Sequence, residues 1–189
     1  MIKNVKFITS VFDKSKLIKT TKKQIVLVGK SNVGKSSFIN AICNNSKLAK
    51  IGSSPGKTRS INYYLVNDEY YLVDLPGYGY SKMSIKEKEN VAKLVDKYLE
   101  SGNVSYIFFL VDIRHKPTLD DKTMQDYLSS YDIPFTIIAN KADKISKKAQ
   151  QENIDIIRKV LFAKDEILPF SAEKKENVDA VIDIIENLI

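Results

Sequence analysis

A disulfide is excluded first: the chain has one cysteine, Cys43, too few for an internal bridge. Cys43 falls in a helical stretch and reads as a small packed thiol, which fits a reducing compartment. No apolar run approaches the roughly 20 residues a bilayer needs, so no membrane span is expected. Arginine is scarce. Arg59, Arg114 and Arg158 are the whole set, so the net charge of +7 is almost wholly lysine. That excess is either a solvated surface or the mark of a polyanion partner favoured by counterion release. Lysines cluster at 14–23, 147–148 and 174–175, far apart in sequence. The one histidine, His115, lies between an apolar run and Pro117. It reads as a structural hydrogen-bonding residue of a loop rather than a catalytic imidazole.

Hydrophobic residues make up 43% and charged residues 28% of 189, ordinary for one globular domain. No repeat, low-complexity segment or linker interrupts it, and no sequence remains after the closing helix for an appended domain. Residues 1–23 hold a single acid, Asp13, among many lysines. A transit peptide shares that bias. However, arginine is absent there, and Val5, Phe7 and Thr9 alternate with Lys6 and Ile8 as an edge strand would. Residues 1–22 are therefore expected to pack as a basic segment on a single domain at 23–189.

What the chain does have is concentrated at 29–36, Gly29-Lys30-Ser31-Asn32-Val33-Gly34-Lys35-Ser36. This fits the phosphate-binding loop G-x-x-x-x-G-K-[ST]. The apolar run 25–28 leads into it, and a helical pattern with Phe38, Ile39, Ala41 and Ile42 leaves it. Glycine at 29 and 34 lets the backbone turn its N–H groups toward phosphate oxygens, and the helix start adds free donors. Lys35 is expected to reach the outer phosphates and Ser36 to hold magnesium, with Ser37 a further candidate nucleotide contact.

A glycine- and serine-rich stretch at 51–60 reads as a loop. The β-rich runs 62–66 and 70–75 flank Asn67-Asp68-Glu69, a hairpin signal. Ser84 with Glu87 makes a capping box for a helix burying Val91, Leu94, Val95, Tyr98 and Leu99, stopped by Ser101-Gly102. Strands follow at 106–111, 134–139 and 167–170. Helices follow at 118–129, 146–161 and around Val178, Val181, Ile182 and Ile185. The alternation predicts an α/β three-layer sandwich: a mostly parallel sheet, one antiparallel strand at or near an edge, helices on both faces. Ligands bind such sheets at the carboxyl ends of the strands. The groups at 29–36, 74–77, 140–143 and 171 all follow a strand and so share that rim.

Asp74 stands where a P-loop protein needs a second carboxylate near magnesium, and the Gly77 N–H can approach a terminal phosphate. Asn140-Lys141-Ala142-Asp143 selects the base. The Asp143 carboxylate can accept from both N1–H and the 2-amino group of guanine, a donor pair adenine lacks. The Lys141 stem can lie over the base, Asn140 can brace the loop, and Ser171 and Ala172 can offer backbone contacts. GTP and GDP, not ATP, are the expected ligands. Thr58 can reach magnesium only while the third phosphate is present, which makes 51–60 an order–disorder switch. Lys35, Thr58 and Gly77 are the candidate catalytic positions, and Ser36, Thr58 and Asp74 the candidate metal ligands. The remaining candidate nucleotide contacts flank these: Gly56, Lys57, Arg59, Ser60, Leu75, Pro76 and Phe170.

These motifs resemble the translation-factor-type P-loop GTPases and, more narrowly, the EngB (YihA/YsxC) family. Pro55-Gly56-Lys57-Thr58, Asp74-Leu75-Pro76-Gly77-Tyr78-Gly79-Tyr80, Val111-Asp112-Ile113-Arg114-His115-Lys116-Pro117-Thr118 and Phe170-Ser171-Ala172-Glu173 carry the likeness with the P-loop. The resemblance implies a cytoplasmic GTPase acting in assembly of the large ribosomal subunit and linked to cell division and septation. Its partners would be GTP and ribosomal RNA, with no DNA or membrane, and it would be a monomer. Two positions depart from the family pattern: Asn140 where Thr is common and Arg59 where Gln is common. Small GTPases with a water-orienting Gln after this glycine hydrolyse at about 10⁻⁴ s⁻¹ unaided. Tyr78 holds that place here, so slow intrinsic turnover is expected. Asn32 matches GTPases that use potassium near the phosphates, which raises potassium stimulation, and Arg59 could supply charge in cis. Tyr63, Tyr64, Tyr70 and Tyr71 are read mainly as packing, with stacking on RNA bases the other reading. A ribosome- or RNA-binding module in which GTP is mainly a structural effector stays open. An ATP-using P-loop kinase is disfavoured by 140–143.

Overall fold

Among the described residues, seven strands build one sheet in the order β1-β3-β4-β2-β5-β6-β7. They are β1 Val5–Val11, β2 Gln24–Gly29, β3 Ile61–Val66, β4 Tyr70–Asp74, β5 Val104–Asp112, β6 Phe135–Asn140 and β7 Ile167–Phe170. The computed structural model describes residues 2–51, 59–79, 83–101 and 103–189. Pro55, Gly56, Lys57, Thr58, Tyr80 and Gly102 lie outside the described residues. β3 is antiparallel to both β1 and β4, and the remaining pairs are parallel. One strand therefore runs against the other six, second from the edge.

β2 is buried along its whole length, as a central parallel strand covered on both faces must be. Its period-two alternation splits the core. Ile25 and Leu27 join Phe38, Ile39 and Ile42 of α1 (Lys35–Ile42) and Val181 and Ile185 of α5 (Val178–Leu188). Val26 and Val28 face the other layer, α2 (Ile85–Leu99), α3 (Leu119–Ser129) and α4 (Lys147–Leu161), through Leu94, Tyr98, Leu128, Ile157 and Leu161. The capping box of Ser84 and Glu87 opens α2, and Thr118 with Asp121 makes a second one at α3. Phe38 lies 4.6 Å, ring to ring, from Phe170 and 5.7 Å from Phe108, which pins α1 across β7 and β5. Asn67 and Asp68 both take positive φ, the conformation of the tight type I′ hairpin turn.

The two covered faces decide between the two readings of the hairpin tyrosines, in favour of packing. In a half-exposed hairpin, alternate tyrosines would reach solvent. Here Tyr63 and Tyr71 enter one core and Tyr64 and Tyr70 the other, and none is more than 9% exposed. They pack and are not available to stack on bases. Cys43 is buried too, and burial pushes its thiol up to about 12, as for a packed, unreactive group. His115 is exposed, and its backbone N–H, not its ring, makes the loop hydrogen bond, to the Asp112 carbonyl at 3.2 Å.

Candidate nucleotide-binding site

The sequence-read groups meet at the carboxyl ends of β2, β4, β6 and β7. After β2 the chain turns at Gly29, where a Cβ would lie 2.7 Å from Val33 Cγ1 and 2.9 Å from the Leu110 carbonyl oxygen. Gly34 sits at φ +107° and caps α1 with no side-chain hydrogen bond. The first turn of α1 therefore keeps backbone N–H groups for an outside acceptor. Lys35 is buried. Its Nζ lies 3.4 Å from the Gly29 carbonyl and 3.9 Å from Asp74 Oδ1, both long for an ammonium whose partners are all protein. Ser36 and Ser37 are half-buried at the start of the helix.

Asp74 ends β4 beside this cradle. Its Oδ1 is buried with no hydrogen-bond partner among the described residues. Burial pushes the carboxyl up, while the Lys35 ammonium and the Asn62 side chain pull it back. A buried carboxylate oxygen with only a distant ammonium suits an oxygen-seeking cation, so Asp74 and Ser36 fit magnesium. Asn62 is turned toward Asp74 by its carbonyl oxygen, which accepts from Ser60 Oγ at 3.0 Å and Ser10 Oγ at 2.6 Å. Leu75 and Pro76 are buried, and Gly77 is pressed onto the P-loop: a Cβ there would stand 3.0 Å from Ser31 N. The Ser31 N–H donates to the Tyr78 carbonyl at 3.0 Å, and Tyr78 Oη donates to Asp121 Oδ1 at 2.7 Å. The Tyr78 hydroxyl thus points to α3 and away from Lys35. Lys30 runs over Gly79 to Thr118 Oγ1 at 3.3 Å and Asp120 at 3.7 Å. Arg59 pairs with Glu87 of α2 and so is directed away from the phosphate loop.

At the other end of the rim, Asn140 Nδ2 donates to the Val33 carbonyl at 2.9 Å, a buried bond joining the base loop to the P-loop. Lys141 takes a positive φ, and its Nζ reaches the Asn32 carbonyl at 2.8 Å and Asp112 Oδ2 at 2.9 Å. Ala142 is buried, and Gln150 Nε2 donates to its carbonyl at 2.8 Å. Asp143 accepts from Ser171 Oγ at 2.6 Å and from Lys144 at 2.9 Å. Burial opposes its charge, but these two donors hold the carboxyl below its usual range. Ser171 itself spends its backbone N–H on the Glu176 carbonyl at 3.3 Å. Ala172 is left as the neighbour whose N–H has no partner among the described residues. Phe170 is fully buried in the core, one residue before the rim.

Sequence reading missed Asp112 and Arg114 as a pair. Asp112 ends β5 on the same rim, a position that could have flagged it. Arg114 grips it through Nε at 2.9 Å and Nη2 at 2.8 Å, and Asp112 in turn holds Lys141. Burial raises the Asp112 carboxyl, but the Arg114 and Lys141 bonds outweigh it and lower it to about 2. A folded-state value below the unfolded one stabilises above pH 4 and is lost as pH falls toward 2. Asp112→Asn should cost about 2 kcal/mol at pH 7 and flatten the acid limb of stability between pH 4 and 2. Urea unfolding at several pH values measures both.

Comparison with known proteins agrees with this geometry. A family profile described as 50S ribosome-binding GTPase matches residues 24–141. A protein of Clostridium kluyveri described as a probable GTP-binding protein EngB is 44% identical, over 100% of this chain and 97% of its own. A structure of Era in complex with MgGDPNP and nucleotides of 16S ribosomal RNA superimposes with TM-score 0.69 at 26% identity, over 88% of this chain and 56% of that one. One of NFeoB from S. thermophilus bound to GDP.AlF4- and K+ gives TM-score 0.61 at 28% identity, over 86% and 60%. With a phosphate cradle, a buried carboxylate beside it and a braced Asp143 on one rim, the chain belongs to the EngB family of GTP-binding proteins, within the 50S ribosome-binding GTPases.

Proposed function

We propose that this protein is a GTP-driven conformational switch that binds the large ribosomal subunit during its assembly, and through that role supports cell division and septation in the cytoplasm. The observation that carries the reading is Asp143, braced by Ser171 and Lys144 at one end of a rim whose other end is the Lys35–Asp74 cradle. A guanine reader and a phosphate cradle on one rim are the two parts that GTP requires. Residues 23–189 form the GTP-binding unit, with 1–22 packed on it as a basic segment. Magnesium, when bound, neutralises charge on the outer phosphates. Ser36, Asp74 and Thr58 hold it, Lys35 and the N–H groups of 29–37 hold the phosphates, and Gly77 reports the third phosphate through its backbone. The stretch 51–60, which carries Thr58, is the proposed switch that answers to the third phosphate. Lys141 lies over the base, braced by Asn140 and Ala142, and Ala172 faces the guanine oxygen.

Hydrolysis belongs to the family, and the slow rate is part of the proposal. Tyr78, fixed to Asp121, brings no water-orienting group to the phosphates. The purified chain should release phosphate at about 10⁻⁴ s⁻¹ and faster with large subunits present. A fast rate from the chain alone contradicts this. Asn32, exposed at φ 62° in the phosphate loop, favours a potassium ion as the added charge. Turnover in potassium buffer should exceed that in sodium buffer, and equal rates remove potassium from the scheme. Equal co-sedimentation with large subunits in GDP and GTP-analogue forms would favour the passive binding module over the switch.

A further inference from the structure

The net charge is not spread over the molecule. Seven lysines against one aspartate give the first 23 residues six of the chain's seven excess positive charges. These residues form β1, the 3₁₀ turn Lys14–Lys16 and the passage into β2, and β1 is the outermost strand of the sheet. Lys3, Lys14, Lys16 and Lys19 are exposed and make no ion pair within 4.0 Å among the described residues. Asp13, the one acid of the segment, faces Lys16 and Lys14. Two aromatic rings lie among them: Phe7, half-exposed against Tyr64 at 5.6 Å, and Phe12, 69% exposed at the strand's end. A segment that combines a ring as exposed as Phe12 with lysines in no ion pair spends neither on packing. It matches single-stranded RNA, whose phosphates take the point charges and whose bases take the rings.

We infer that the β1 edge and the turn after it are an RNA-docking surface, the face by which this protein holds ribosomal RNA. The inference rests on the ribosomal reading above for its partner and not for its chemistry. The sheet order supports it. The guanine end of the rim follows β6 and β7, at the opposite edge from β1. RNA along β1 therefore leaves the nucleotide mouth open. The docked end is still close to the phosphate side, because Val11 pairs with Ile61 and Ser10 shares the Asn62 oxygen that orients Asn62 toward Asp74.

Lys3, Lys14, Lys16 and Lys19 are changed together to glutamine in the full chain, and Phe12 to alanine separately. Binding is measured to a labelled 24-nucleotide single-stranded RNA and to isolated large ribosomal subunits, at several salt concentrations, with the GTP analogue bound. The quadruple variant should bind both at least about tenfold more weakly at 0.1 M salt. The slope of log K against log salt should shrink by about 3. Phe12→Ala should cost about fivefold or more, with a nearly unchanged salt slope. GDP affinity should stay at the wild-type value in both, which verifies folding. RNA binding that behaves this way without any subunit binding upholds the surface and defeats the ribosomal reading. Unchanged RNA binding in the quadruple variant overturns the inference. So does subunit binding that ignores the lysines but is lost on Thr9→Pro, because the edge then docks a protein strand.

Discussion

Asp143→Asn should lower GTP affinity by about 10⁴-fold and raise XTP affinity, a reversal of base preference from one atom. The carboxylate accepts twice, from N1–H and from the 2-amino group. An asparagine accepts once and donates once, which suits the carbonyl that xanthine carries where guanine has its amine. The site does not absorb the loss by rearranging. Ser171 Oγ, at 2.6 Å, and Lys144, at 2.9 Å, fix the group's orientation from behind. Both partners lie outside the phosphate cradle, so Lys35 and Asp74 are untouched. Displacement of a fluorescent GDP by GTP and by XTP reads the two affinities, and changes under tenfold would count against the assignment.

The second large effect is expected at Gly34. Its φ of +107° strains any residue with a Cβ, and that Cβ would stand 2.4 Å from Asn140 Nδ2. Asn140 must then leave the Val33 carbonyl, now 2.9 Å away, and a buried acceptor loses its donor. Strain and the orphaned carbonyl together cost about 3 kcal/mol. In a chain of this length the melting temperature should fall by about 10 °C. The same shift parts the phosphate loop from the base loop, so GDP should bind at least about a hundredfold more weakly. Thermal melts with and without GDP measure both, and the ligand-induced rise in melting temperature should vanish. A Gly34→Ala protein that melts and binds like the wild type would show that the bond from Asn140 carries little.

Much of this was legible in the sequence because each signal was local. The P-loop glycines, the Ser84–Glu87 box and the turn at Asn67-Asp68 each set their own backbone. The continuous apolar run at 25–28 told that β2 is central. What escaped was non-local. The alternation of strands and helices told that both faces are covered, but not that the hairpin of Tyr63 and Tyr64 lies far enough inside the sheet to share that cover. The grip of Arg114 on Asp112, and of Asp112 on Lys141, spans β5 and β6 and exists only once their ends share a rim. The Tyr78–Asp121 bond likewise links segments 43 residues apart. The lysines of 14–23 were visible, but the fold decides which stay exposed without an ion pair, Lys14, Lys16 and Lys19, and which are spent on backbone carbonyls, Lys22 and Lys23.

The central claim is that Asp143 and the 29–36 cradle together make a guanine-nucleotide site. Titration calorimetry of the unaltered chain with GDP and with ADP, in magnesium buffer, tests it most directly. The structure predicts saturable GDP binding and ADP binding weaker by about 10⁴-fold or undetectable. Equal affinities for the two would contradict it.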